Sequence, residues 1–192
     1  MKKIMVLLSN GFEAYEASVF TDVFGWNNDE VGNYPIEVVT VGMHEELKCT
    51  WNFTVKPEKQ LSELDINEFD ALAIPGGYEE AGFYEDAYSE EFLNVIRHFN
   101  KKKRLIASVC VGAMPIAKSG VLENRKGMTY HQSKRINQLA EFGVIVSEEL
   151  FVVDDNIITC SGPGNAIDSA FKLLEMMTSK ENMEKVKKLM CF

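Results

Sequence analysis

Short apolar runs recur along the chain, separated by longer stretches in which apolar positions fall three and four residues apart. The runs are "KIMVLL" (3–8), "IEVVTV" (36–41), "ALAI" (71–74), "RLIASV" (104–109), "LFVVD" (150–154) and "IITC" (157–160). Several are apolar throughout, the pattern of strands covered on both faces of a parallel sheet. The stretches of helical period cover roughly 13–26, 89–102, 112–119, 133–142, 165–178 and 180–190. "LKCTWNFTV" alternates instead, with Leu47, Cys49, Trp51, Phe53 and Val55 on one side. That predicts a half-buried strand belonging to a small antiparallel flap. "VVDDNII" predicts a hairpin, because Asp and Asn tolerate the turn. Regular alternation of strand and helix predicts a three-layer α/β sandwich with a mostly parallel sheet. No repeat, low-complexity tract or Pro/Gly/Ser-rich linker interrupts it, so residues 1–192 are expected to form one domain.

Composition narrows the partners. Charged residues make up 26% and hydrophobic residues 46%, the balance of a soluble globular chain. Lys, Glu, Asp or Asn interrupts every apolar run before it reaches membrane-spanning length, so no membrane partner is expected. A formal net charge of −9 argues against nucleic acid or anionic lipid as a general partner. "MKKIMVLLSNGFEAYE" lacks the long apolar region and cleavage site of a secretory signal, and a first strand is expected there. Cys49, Cys110, Cys160 and Cys191 lie far apart with no metal-type spacing. Reduced thiols, a cytoplasmic location and no metal follow as expectations. No glycine-rich turn has the full dinucleotide or phosphate-loop pattern, so no cofactor is expected either.

In such sheets ligands collect at the carboxyl ends of the strands, and "SNGFE", "PGGYE", "CVGA" and "CSGPG" all follow strands. In "SVCVG" Cys110 stands between a strand and a helix, with Ser108 two before it and Gly112 two after. A nucleophile elbow needs small residues at those two places, where bulk would strike the neighbouring strand and helix. A thiol at a helix amino terminus is expected to be a stabilised thiolate. A buried free cysteine is also an ordinary small hydrophobe, but here spacing and context agree on the elbow.

Glu16 lies on the face of the first helix formed by Val19, Phe20, Val23 and Phe24. A carboxylate there is costly unless it is protonated or firmly hydrogen-bonded, and a neutral one can donate to a thiolate. The same position in the first turn also suits an acid stabilised by the helix dipole, so position alone leaves both readings open. Among the histidines, His44 sits in a polar stretch and His98 falls off the apolar face of Phe92, Val95, Ile96 and Phe99, where solvent is expected. His131 remains as a candidate proton shuttle at an element boundary. Gly76 and Gly77 in "IPGGYE" allow backbone N–H groups to approach a ligand, or simply make a tight turn.

The combination of "VLLSNGFEAYEA", "DALAIPGG", "IASVCVGA", "TYH" and "CSGPG" resembles the ThiJ/PfpI superfamily, and most of all its branch with redox and deglycase activity. The resemblance runs nearly the whole length. It implies a flavodoxin-like fold, also called class I glutamine amidotransferase-like, and a homodimer. It implies Cys110 as nucleophile and oxidation-prone thiol, Glu16 as its carboxyl partner and His131 as a nearby imidazole. An anion pocket from the backbone of Gly76, Gly77 and Val111 is also implied.

Val111 replaces the histidine that follows the cysteine in amidotransferase-like and protease-like branches. Trp26, Trp51 and Ser161 stand where the redox branch carries arginines, and Ala14 and Tyr15 give the pocket wall its own character. The leading expectation is a cysteine-dependent stress protein acting on small reactive carbonyls, glyoxalase- or deglycase-like. The alternative is a non-catalytic redox sensor or chaperone-like protein using the same thiol. Amidase, peptidase or isonitrile hydratase activity is the least favoured.

Overall fold

The computed structural model describes residues 1–31 and 34–192. The chain begins with strand β1 (Lys2–Leu8), helix α1 (Ala14–Trp26) with a π-helical turn after it, and β2 (Ile36–Gly42). A small excursion follows, with β3 (Leu47–Lys48), β4 (Thr54–Val55) and β5 (Lys59–Gln60). The chain then returns through β6 (Ala71–Ile74), α2 (Phe83–Ala87), α3 (Glu90–Lys101), β7 (Leu105–Val109) and α4 (Ala113–Lys118). Next come β8 (Lys126–Gly127), α5 (Arg135–Glu141), β9 (Ile145–Val146), β10 (Phe151–Asp154) and β11 (Ile157–Cys160). Helices α6 (Ala166–Met177) and α7 (Lys180–Leu189) complete it.

Seven strands form one sheet in the order β10-β11-β7-β6-β1-β2-β5. All neighbours in it are parallel except the β10–β11 hairpin, which turns at Asp155 with φ 52°. Helices α1, α6 and α7 pack together on one face, while α3 and α4 cover the other. Two-sided cover explains why β1, β6, β7 and β11 are nearly continuous apolar runs. The three-layer architecture is the one expected. Strand order reverses around β1, whose chain leads to β2 on one side and then to β6 on the other. The crevice at the carboxyl ends of β1, β6 and β7 is therefore the topological switch point where a ligand site belongs.

Two local expectations are corrected. The alternating stretch 47–55 is not one strand. It folds back on itself at Asn52, φ 62°, so that β3 and β4 pair antiparallel. Leu47 and Cys49 are buried as expected, but Trp51 and Phe53 ride outward at the turn. His98 is half-buried rather than solvated, and its Nε2 has no hydrogen-bond partner. Burial and the cations Arg104 and Lys102 hold its imidazole below the ordinary histidine range.

Candidate active site

The site is assembled from three strand ends. After β1, residue Glu13 opens α1, and its N–H donates to Gly76 O at 2.8 Å. That bond fastens the start of α1 to the loop after β6. One turn into the helix, Glu16 then points at the same loop, where the Gly76 N–H donates to its Oε2 at 2.7 Å. The Glu16 side chain is 0% exposed and its Oε1 has no hydrogen-bond partner that meets ordinary geometry. Burial pushes its carboxyl up to about 8, reinforced by the nearby Glu13 charge and opposed by the Gly76 N–H and the Cys110 thiol.

Cys110 follows β7 in a left-handed conformation, φ 53°, and begins a tight helical turn that leads into α4. Non-glycine residues occupy this region only when their surroundings hold them there. Here the Cys110 carbonyl accepts from Thr129 Oγ1 at 3.0 Å and from the Ala113 N–H. The small residue two positions on is required: a Cβ on Gly112 would lie 2.5 Å from Ile74 O. Gly76 is equally constrained, since a Cβ there would lie 2.8 Å from Glu16 Oε2 and 2.9 Å from Cys110 Cβ. Carboxyl, thiol and glycine loop are thus in mutual contact.

The expectation of a thiol made acidic by a helix amino terminus is corrected. Cys110 is only 7% exposed, and burial together with the Glu16 charge pushes its thiol well up. The Val111 N–H pulls the other way but is outweighed. Thiol and carboxyl are better described as one coupled acid. Their titrations are coupled, so the protons belong to the pair rather than to either residue alone.

A cavity of about 370 Å³ opens above this floor. Glu13, Gly77, Cys110 and Val111 line its base, and Trp51, Tyr78, Tyr84 and Tyr130 stand around it. Of the three residues whose backbone was assigned to an anion pocket, Gly77 and Val111 line the cavity. The Gly76 N–H does not, because it is engaged by Glu16. His131, expected near the thiol, is exposed, stands against the Tyr130 ring and is not part of the lining.

Arg135 had no role in the sequence reading, yet it lines the cavity and is buried. Its guanidinium stacks 4.5 Å from the Tyr84 ring centroid and donates to Gln138 Oε1 and Glu79 Oε2. A cation at the first position of α5 opposes the helix dipole, a signal that something other than the helix holds it. Lys134 joins the same cluster, 3.7 Å from Glu79 Oε2. Lys134 and Arg135 are the basic residues in the lining of the cavity. Among the described residues no group of three or more His, Cys, Asp or Glu converges to hold a metal ion, and no helix is long and apolar enough to cross a membrane.

The DJ-1/PfpI family profile matches residues 2–176. The chain belongs to that family. Among its relatives is the DJ-1alpha protein of Drosophila melanogaster, 30% identical over 192 residues, which covers 98% of this chain and 83% of the relative. A Schizosaccharomyces pombe relative named glutathione-independent glyoxalase DJ-1 is 27% identical, covering 98% of this chain and 97% of its own. Crystalline Drosophila DJ-1beta superposes with a TM-score of 0.85 at 25% identity, covering 99% of this chain and 97% of that one. Oxidized DJ-1 from Toxoplasma gondii gives 0.84 at 25% identity, covering 100% and 99%.

Proposed function

We propose that this DJ-1/PfpI family member is a cysteine-dependent stress protein that converts small 2-oxoaldehydes into 2-hydroxy acids without a cofactor. The observation that carries the reading is the Cys110 thiol lining an open cavity, with the Glu16 carboxyl buried beside it. Relatives named as glyoxalases support it.

In the proposed cycle the singly protonated pair reacts as thiolate and neutral carboxyl. Sulfur attacks the aldehyde carbon, and the new oxyanion takes a proton to give a hemithioacetal. Glu16 removes the proton on the former aldehyde carbon and returns one to the adjacent carbonyl carbon, through an enediol. The product is a thioester of Cys110, which water hydrolyses to the hydroxy acid and free thiol. Methylglyoxal plus water gives lactate, with no external oxidant or reductant. Gly77 lines the cavity, and this reading assigns its backbone N–H to the developing oxyanion. Glu16 rather than His131 carries the proton in this scheme, because its carboxyl lies beside Cys110 while the imidazole is exposed against the Tyr130 ring.

A redox-sensing role is the second reading. It is favoured by the carboxyl value of about 8, which leaves Glu16 neutral at pH 7 and able to donate to an oxidised Cys110 sulfur. Purified protein incubated with methylglyoxal, with lactate measured against Cys110→Ala and Glu16→Gln controls, separates the two. Lactate formation lost in both variants is the result expected. No lactate from the wild type refutes the carbonyl reading.

A further inference from the structure

Cys110 has a second thiol beside it, from a distant part of the sequence. Cys160 ends β11, the neighbour of β7, and pairs in register with Val109, the residue before Cys110. Paired strands lie about 4.8 Å apart, and consecutive Cα atoms along a strand about 3.8 Å. Together these put the Cα atoms of Cys110 and Cys160 about 6 Å apart, inside the window of about 4.4–6.8 Å that a disulfide spans.

Both side chains also lie on one side of the sheet. Cys160 Sγ is 3.7 Å from Asn165 O, at the start of α6, and 3.7 Å from Ser108 O on β7. The Cys110 thiol meets the Glu16 carboxyl of α1, and α1 packs with α6 on that face. Cys160 is 0% exposed and Cys110 7% within the chain itself, so the pair is internal whatever meets the outer surface. Their access differs. Cys110 lines the cavity and Cys160 does not, so a small oxidant that enters meets Cys110 first, with Cys160 behind it.

We propose that Cys160 is a resolving thiol for Cys110: once peroxide has oxidised Cys110 to the sulfenic acid, Cys160 closes an internal disulfide that joins β7 to β11. The proposal rests on the redox reading of Cys110 and is independent of carbonyl turnover. In the first step peroxide transfers one oxygen to the Cys110 sulfur, its O–O bond breaks and water departs. In the second the Cys160 sulfur attacks the Cys110 sulfur. The S–O bond breaks, the S–S bond forms, and the hydroxyl leaves as water with the Cys160 proton. One peroxide is reduced and two thiols are oxidised. Burial and the Glu16 charge push the Cys160 thiol up to about 12, so its attack draws on proximity rather than on acidity. A second peroxide competes for the same sulfenic acid and gives the sulfinic acid, which a dithiol does not reverse. Disulfide at low peroxide and sulfinic acid at high peroxide follow.

The test treats the wild-type protein with a small excess of hydrogen peroxide, then unfolds it in acid, alkylates it and maps its peptides by mass. A cross-linked pair of peptides holding Cys110 and Cys160 is the result expected, and dithiothreitol should return both thiols. Cys160→Ser keeps a small donor toward Ser108 O and Asn165 O. It should lose the cross-link, carry Cys110 on to the sulfinic acid and leave that thiol beyond recovery by dithiothreitol. Cys49→Ser should leave the cross-link in place. The wild-type map decides by itself should Cys160→Ser fail to fold. Cys110 sulfinic acid with Cys160 still free in the wild type overturns the proposal and leaves the redox reading intact. A cross-link from Cys110 to Cys49 or Cys191 instead also overturns it. Cys110 that stays reduced in excess peroxide sinks the proposal and the redox reading together.

Discussion

Replacing Glu16 by Gln should change how the protein's stability responds to pH. In the folded state the carboxyl is raised from an ordinary 4.5 to about 8, chiefly by burial. Between those values the folded protein keeps a proton that the unfolded chain has released. The unfolded state binds fewer protons, so stability falls as pH rises through this window. At 1.36 kcal/mol per tenfold of proton affinity, the shift amounts to about 5 kcal/mol at full extent, and to about 3 kcal/mol by pH 7. Both figures are large beside a typical total stability of about 5–15 kcal/mol. Gln keeps an acceptor for the Gly76 N–H and carries no charge at any pH, so the slope should vanish. Urea unfolding of wild type and Glu16→Gln at pH 5, 6, 7 and 8 measures it. With a slope near 2.5 kcal/mol/M, the wild-type midpoint should fall relative to the variant by about 1 M or more across the series. The variant should be the more stable at pH 8 and close to wild type at pH 5. Midpoints that run parallel would refute the claim that Glu16 is buried and protonated at neutral pH.

In the proposed cycle the same pair sets the rate. Lactate formation should rise about tenfold per pH unit up to about pH 8 and level above it, and a profile flat between pH 6 and 8 would rule out the pair as the reacting acid. Gly112→Ala places a Cβ 2.5 Å from Ile74 O and should cost about 3 kcal/mol, lowering the thermal midpoint by roughly 10 °C in calorimetry. A bulky maleimide at pH 7 should label exposed Cys191 first, with Cys49, Cys110 and Cys160 protected by burial, as peptide mass mapping would show. Rapid labelling of Cys110 at that pH would contradict a thiol raised by burial.

The sheet was legible because its strands carry two independent signals. β6 is apolar at every position and β11 at all but Thr159, and they end at Pro75-Gly76 and Ser161-Gly162, so both pattern and punctuation mark the boundaries. The amphipathic α3 and α6 were legible for the same reason. Where only one signal existed the sequence misled. The alternation from Leu47 to Val55 suits one strand as well as a hairpin, and only the left-handed backbone at Asn52 decides between them. At five residues, α2 is too short for a helical period to show, yet it supplies Asp86, which accepts from the Asn10 N–H and meets His44 Nε2 at 2.8 Å.

The site divides along the same line. Cys110 and Glu16 could be singled out because each breaks a local rule. Cys110 stands between two small residues where a strand turns sharply, and Glu16 puts a carboxyl on an apolar face. Such violations mark places where the fold accepts strain for chemistry. The residues that shape the cavity break no local rule that sequence shows: Trp51, Tyr78 and Tyr130 are exposed aromatics on loops, unremarkable one at a time. What makes them a pocket is that their loops share hydrogen bonds to Gly11, Phe12 and Cys110, partners 30 or more residues away for Trp51 and Tyr78 and 19 for Tyr130's neighbour Thr129. Arg135 is the intermediate case, a cation misplaced at a helix start whose reason, Glu79, lies 56 residues away. The proposed acid pair is thus written in local exceptions, while what that pair is offered depends on the topology that brings separate strand ends together. Changes at the loop aromatics should therefore redirect the substrate without touching the Glu16–Cys110 pair, and changes at that pair should abolish the chemistry for every substrate.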